Sequence, residues 1–138
     1  MTANMTTATV LSRDGTRIVY DHLGEGRPLI MVGGALSDRS HPTVQHFASV
    51  LARYFTVFKY DRRGRGDSGD TPPYAAEREF EDLEAVIQAA GGPVLLYGMS
   101  SGAVLALETA ARRCCRNTVR TSRNCSPPAA GPTHSSTS

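Results

Sequence analysis

Gly98-Met99-Ser100-Ser101-Gly102 sets a serine hydroxyl between two glycines, each two positions away. A serine in a tight G-x-S-x-G turn from strand to helix is lifted clear of the sheet. Its oxygen can then attack, while nearby backbone N–H groups face the oxyanion that forms. The flanking residues suit that turn. Val94-Leu95-Leu96-Tyr97 is a short apolar run and reads as a fully buried strand. Ala103 to Ala111 is rich in Ala and Leu with one Glu, all good helix formers. Strand and helix backbones must pass close together here, so a side chain at Gly98 or Gly102 is expected to clash. The pattern is weak by itself in a chain with 13 glycines. Its place between a strand and a helix is what gives it weight. The competing reading is an ordinary Gly/Ser turn in a strand–helix unit.

A serine hydroxyl is a poor nucleophile until a base takes its proton. After Ser100 the chain holds one acid, Glu108, and one histidine, His134. Glu108 lies two helical turns on and reads as a solvated helix charge. His134 sits in Gly131-Pro132-Thr133-His134-Ser135, with no expected element to hold it. Of the earlier histidines, His22 ends the second strand, while His41 and His46 border the first helix. His41 is the one expected near the mouth of the site. Arg62, Arg63 and Arg65 alternate with glycines and invite a phosphate or nucleic-acid reading, but no aromatic stacking series accompanies them. A tight turn after a strand explains the same residues. Cys114, Cys115 and Cys125 lack C-x-x-C spacing, so no metal site is expected, and no cofactor motif is present.

The elements that must position the serine follow from periodicity. Thr9–Leu11 and Thr16–Asp21 read as strands joined by the hairpin turn Asp14-Gly15. Gly24-Glu25-Gly26 marks a second turn. Pro28–Val32 is a continuous apolar run, hence a buried parallel strand, and Gly33–Asp38 is the loop at its end. Pro42–Tyr54 is expected to be helical, with Val44, Phe47, Ala48 and Leu51 on one face. Phe55–Asp61 is a strand rich in aromatic and β-branched residues. The loop Arg62–Gly69 follows it. Glu77–Ala90 is the next helix, with Phe80, Leu83, Ile87 and Ala90 inward. Glu77, Glu79, Glu81 and Asp82 suit its positive N-terminus. Strands alternating with helices after a hairpin imply an α/β sandwich.

Composition bounds the rest. The 138 residues make one domain at most, 40% hydrophobic, with a net charge of +2. No apolar run of transmembrane length occurs, and Met1–Thr9 is polar, so a cytoplasmic location without membrane association is expected. Charge is unevenly spread: residues 112–138 carry five Arg and no acid, together with all three cysteines. Ser126–Thr133 is rich in Pro and Ser. Residues 1–112 therefore read as folded and 113–138 as a disordered tail, with Arg112–Arg120 showing no helical or strand period.

Three motifs together resemble the N-terminal half of an α/β-hydrolase. They are Gly33-Gly34-Ala35 after the third strand, Tyr60-Asp61-Arg62-Arg63-Gly64-Arg65-Gly66-Asp67-Ser68-Gly69 after the fourth, and the elbow Gly98–Gly102. The likeness covers residues 8 to about 111, and members of the family are usually much longer. It implies a partial α/β-hydrolase sandwich: a mostly parallel sheet of about five strands in the order 1-2-4-3-5, flanked by helices. It implies Ser100 as nucleophile and the backbone N–H groups of Ala35 and Ser101 as oxyanion donors. The substrate would be a small ester or related acyl compound, with no nucleic-acid partner. The family's triad runs Ser, then Asp or Glu, then His, and neither partner stands where it should. The chain on its own is therefore expected to be inactive, with a change of reading frame near Arg112 as the explanation. The alternative is a non-catalytic binding module on the same half-fold. Many members have His-Gly where this chain has Gly33-Gly34, but that histidine is not catalytic in the family.

Overall fold

The structure is a computed structural model that describes residues 4–121, with side chains through Arg116. Strands β1 (Thr6–Leu11) and β2 (Arg17–Leu23) form an antiparallel hairpin in which Leu11 faces Arg17. Gly15 in its turn has φ 86°, and Asp14 Oδ1 accepts the Thr16 N–H at 3.0 Å. Then come β3 (Arg27–Val32), α1 (Pro42–Leu51), β4 (Phe55–Tyr60), α2 (Ala76–Ala90), β5 (Leu95–Gly98) and α3 (Ser101–Thr121). The sheet order is β1-β2-β4-β3-β5. β2 is antiparallel to β1 and β4, and β3 is parallel to β4 and β5. The expected order holds, with β3 inside the sheet.

Period-two alternation along β3 sends its side chains to both faces. Leu29 and Met31 pack with Val57 against Val44 and Ala48 of α1. Ile30 and Val32 pack on the other face with Ile18, Leu83, Val86, Ile87 and Leu105, under α2 and α3. Each such side chain contributes roughly 1.5–3 kcal/mol by leaving water. Helices thus cover both faces, and β3 delivers its C-terminal loop to the same end of the sheet as β5.

Four departures from expectation have physical causes. α1 stops at Leu51, not Tyr54, because Ala52–Tyr54 turn into β4 under the closely packed backbone of Gly24 and Gly26. Glu79 and Asp82, expected only to suit the positive start of α2, are in addition buried. β5 is not the fully buried strand its apolar run suggests, but the edge strand that the expected order 1-2-4-3-5 implies. It pairs with β3 alone, so it forms an edge of the sheet, with Leu95 37% and Tyr97 38% exposed. An open groove of ≈530 Å³ runs between it and α3, past Leu96, Ala103 and Leu107.

The fourth departure is α3, which continues to Thr121 where no helix period was expected. Its contact face there is made of arginine. The Arg112 guanidinium lies 4.0 Å over the Phe80 ring, and Arg116 pairs with Glu84, both on α2. Long charged side chains cover apolar surface in the way a leucine stripe would, yet leave no hydrophobic period in the sequence. Cys114 and Cys115 are exposed on this helix. Cys125, His134 and the Pro/Ser-rich segment lie outside the described residues.

Candidate active site

The elbow forms where β5 meets α3. Met99 N–H donates to the Val32 carbonyl at 3.0 Å, which continues the β3 pairing one step past the strand. Ser100 then takes φ 54°, the one non-glycine residue at positive φ among the described residues. An L-residue there is strained by roughly 1–2 kcal/mol. The helix begins at once, with Ala103 N–H donating to the Ser100 carbonyl at 2.9 Å. The expected clashes are real. A Cβ on Gly98 would overlap the Ala103 backbone, and one on Gly102 would overlap the Val32 and Gly33 carbonyls. These contacts are backbone, so no side chain can move aside to relieve them.

The loop after β3 faces this turn. A Cβ on Gly34 would stand 3.2 Å from Ser100 Cβ, so the glycine lets the two loops touch. Ala35 and Leu36 form a turn closed by the Ser37 N–H and the Gly34 carbonyl at 3.4 Å. Ala35, Ser100 and Ser101 all line one open cleft of ≈360 Å³, with Gly34, Met99 and His41. The three residues singled out from sequence are thus brought together. Ser100 and Ala35 are exposed to solvent there.

Beneath the cleft lies a charged network. Arg62 Nε and Nη2 each donate to the Glu79 carboxylate at 2.8 Å. Its Nη1 donates to Ser101 Oγ at 2.9 Å and to the Gly33 carbonyl at 3.3 Å. Tyr74 Oη donates to Glu79 Oε2 at 2.8 Å. Burial raises the Glu79 pKa, but the hydrogen bonds from Arg62 and Tyr74 outweigh it and leave the carboxyl below its ordinary value. Arg63 is gripped by Asp82 through two 2.7 Å bonds and by Asp14 at 3.0 Å. Asp61 accepts from the N–H groups of Arg39 and Asp67 at 2.7 and 2.9 Å, which shapes the loop that carries these arginines. Arg62 and Arg63 therefore point inward to carboxylates.

Among the described residues, His41 is the one histidine that lines the cleft with Ser100, and no acid lines it. Glu108 is exposed and sits one turn from Arg112, with which it pairs at 3.7 Å. His41 caps α1: its Nδ1 accepts the Thr43 N–H at 3.3 Å. A neutral imidazole that accepts at Nδ1 carries its proton on Nε2, so that nitrogen is a donor and not a base. His46 packs edge-on to Phe47, and His22 stacks on Phe58 at 5.5 Å; neither lines the cleft.

Residues 29–134 match the model of the alpha/beta hydrolase family. The chain belongs to the alpha/beta hydrolase family. Over 104 residues it is 33% identical to the uncharacterized hydrolase YraK of Bacillus subtilis, a match spanning 71% of this chain and 37% of YraK. Among solved structures, it is 58% identical to an alpha/beta hydrolase from Sphaerobacter thermophilus, with TM-score 0.73 over 76% of this chain and 40% of that one. It is 34% identical to the bottromycin epimerase BotH, solved with bottromycin A2, with TM-score 0.69 over 76% and 43% of the two chains. This hydrolase-family chain thus spans well under half the length of the relatives it matches. Among its described residues no helix is long and apolar enough to cross a membrane.

Glu79, Tyr74 and Asp82 escaped the sequence reading. The available signal was a pair of adjacent arginines, Arg62 and Arg63, opposite two acids one helical turn apart on α2. Four acids at a helix start also suit the helix dipole, so charge alone did not single out the two that turn inward.

Proposed function

We propose that the chain carries the nucleophile half of a serine hydrolase for an ester or related acyl bond, in a cytoplasmic setting. Ser100 Oγ would attack the acyl carbonyl and form the Oγ–C bond. The Ser101 and Ala35 N–H groups would hold the oxyanion, and the alcohol would leave once protonated. The observation that carries this reading is the left-handed Ser100, set in a glycine-flanked turn against the Gly34-Ala35 loop. The proton on Oγ would pass to solvent hydroxide, and water would supply the proton to the leaving alcohol. His41, the imidazole that lines the cleft among the described residues, has its Nδ1 occupied by the Thr43 N–H. The chain alone should therefore turn over very slowly or not at all. Losing the base costs nearly as much as losing the triad, and oxyanion and binding effects leave roughly 10³–10⁴-fold over water.

The test is hydrolysis of p-nitrophenyl acetate by the full chain and by Ser100→Ala. A slow excess over buffer that disappears in Ser100→Ala supports the reading. Residual activity equal in both proteins sinks it. Rapid turnover lost in Ser100→Ala would mean that a base acts after all, and His41→Ala and His134→Ala would then identify it.

A further inference from the structure

We propose that Arg62 is a positioning residue for the acyl-transfer site: its one guanidinium holds the two oxyanion-donor loops in register. This rests on the reading of Ser100 as nucleophile. Arg62 is 7% exposed and spends two nitrogens, Nε and Nη2, on the two oxygens of Glu79. A planar group bound at two points has a fixed plane. Its third nitrogen, Nη1, is thereby aimed, and it meets the Gly33 carbonyl and the Ser101 hydroxyl together. Glu79 is itself fixed by the first turn of α2 and by the Tyr74 hydroxyl.

Each tether orients a donor. In a trans peptide the C=O and the next N–H point opposite ways. Anchoring the Gly33 carbonyl on Arg62 therefore turns the Gly34 end of that peptide the other way, at the start of the turn that carries the Ala35 N–H. On the second loop, Ser101 supplies both the side chain held by Nη1 and the backbone N–H proposed as an oxyanion donor. The two donors come from segments far apart in sequence, and among the described residues this guanidinium is the group that binds both. Lysine offers a point charge in place of a fork and cannot hold three partners in one plane.

The experiment measures covalent labelling of Ser100 by a fluorophosphonate, followed by intact mass on the full chain over a range of probe concentrations. Thermal unfolding is recorded alongside. Ser101→Ala keeps the backbone N–H and the Arg62–Glu79 pair and removes only the tether. It should leave the melting temperature and the half-saturating probe concentration unchanged, while the maximal labelling rate falls about tenfold. Arg62→Lys loosens both loops and should lower that rate about 100-fold, the scale expected when reacting groups are misplaced by about 1 Å. Wild-type rates in a folded Ser101→Ala protein overturn the proposal while leaving the nucleophile reading intact. A wild-type chain that is not labelled at Ser100 overturns both. A rate that falls only in step with melting temperature would mean that Arg62 merely braces the fold, and that too overturns it.

Discussion

Removing Asp82 should damage this fold more than removing any exposed charge. Arg63 and Asp82 are 1% and 2% exposed at their side chains and share two 2.7 Å hydrogen bonds. Asp82→Ala would leave a buried guanidinium whose remaining carboxylate is Asp14, at 3.0 Å and 15% exposed. Breaking a buried pair from one side costs about 3–5 kcal/mol, because the abandoned charge stays desolvated. Against a typical stability of about 5–15 kcal/mol, that is about a fifth of the total or more. Asp14→Ala removes the rim contact to Arg63 and the bond from the Thr16 N–H, and should cost about 1.5–3 kcal/mol. The double change Arg63→Met with Asp82→Leu removes both charges and should come within about 1 kcal/mol of wild type or exceed it. Urea unfolding followed by far-ultraviolet circular dichroism measures all three. If Asp82→Ala costs no more than Asp14→Ala, or the double variant is as unstable as Asp82→Ala, the reasoning about buried charge in this network is wrong.

Three further outcomes follow from the same structure. Tyr60 Oη is buried with no hydrogen-bond partner among the described residues, and burial holds its pKa above the ordinary tyrosine value, so Tyr60→Phe should be neutral or stabilising by up to about 1 kcal/mol in the same urea assay. Ser100→Gly relieves the positive φ and should raise stability by about 1 kcal/mol; a loss of stability would contradict the strained elbow. Hydrogen bonds from Arg63 and Thr16 hold the Asp14 pKa well below the ordinary carboxylate range, and Glu79 is also lowered. Groups with depressed folded pKa values contribute stability that is present above the unfolded value, near pH 4, and is lost as pH falls through the folded ones. Melting temperature should hold from pH 7 to 5 and fall below about 4, with a shallower fall in Asp14→Asn.

How much was legible depended on what carried the signal. β3 was readable as a continuous apolar run, β4 by its aromatic and β-branched residues, and α2 by its apolar period of 3.6. The elbow was readable because its glycines are forced by backbone overlap, which no other residue type survives. The end of α3 was hidden because Arg112 and Arg116 make its packing contacts, and arginine gives no hydrophobic period. The exposure of β5 was legible from the expected strand order, which leaves it at an edge, and not from Leu95 or Tyr97 themselves. The Arg62–Glu79 and Arg63–Asp82 pairs were hidden for a related reason. Burial of a charge is decided by its partner across the fold, and neither partner is near in sequence.

The central claim is that Ser100 is a nucleophile set beside its oxyanion donors, and acyl transfer to it can be read directly. The full chain is incubated with excess p-nitrophenyl acetate, digested, and mapped by tandem mass spectrometry. Without a base to activate water, an acetyl group that reaches Ser100 should persist there. The expected result is acetylation at Ser100, absent from Ser100→Ala, at a rate above that of the other serines. Acetyl groups confined to Lys59, the cysteines and the N-terminal amine, in the same pattern in both proteins, would contradict it.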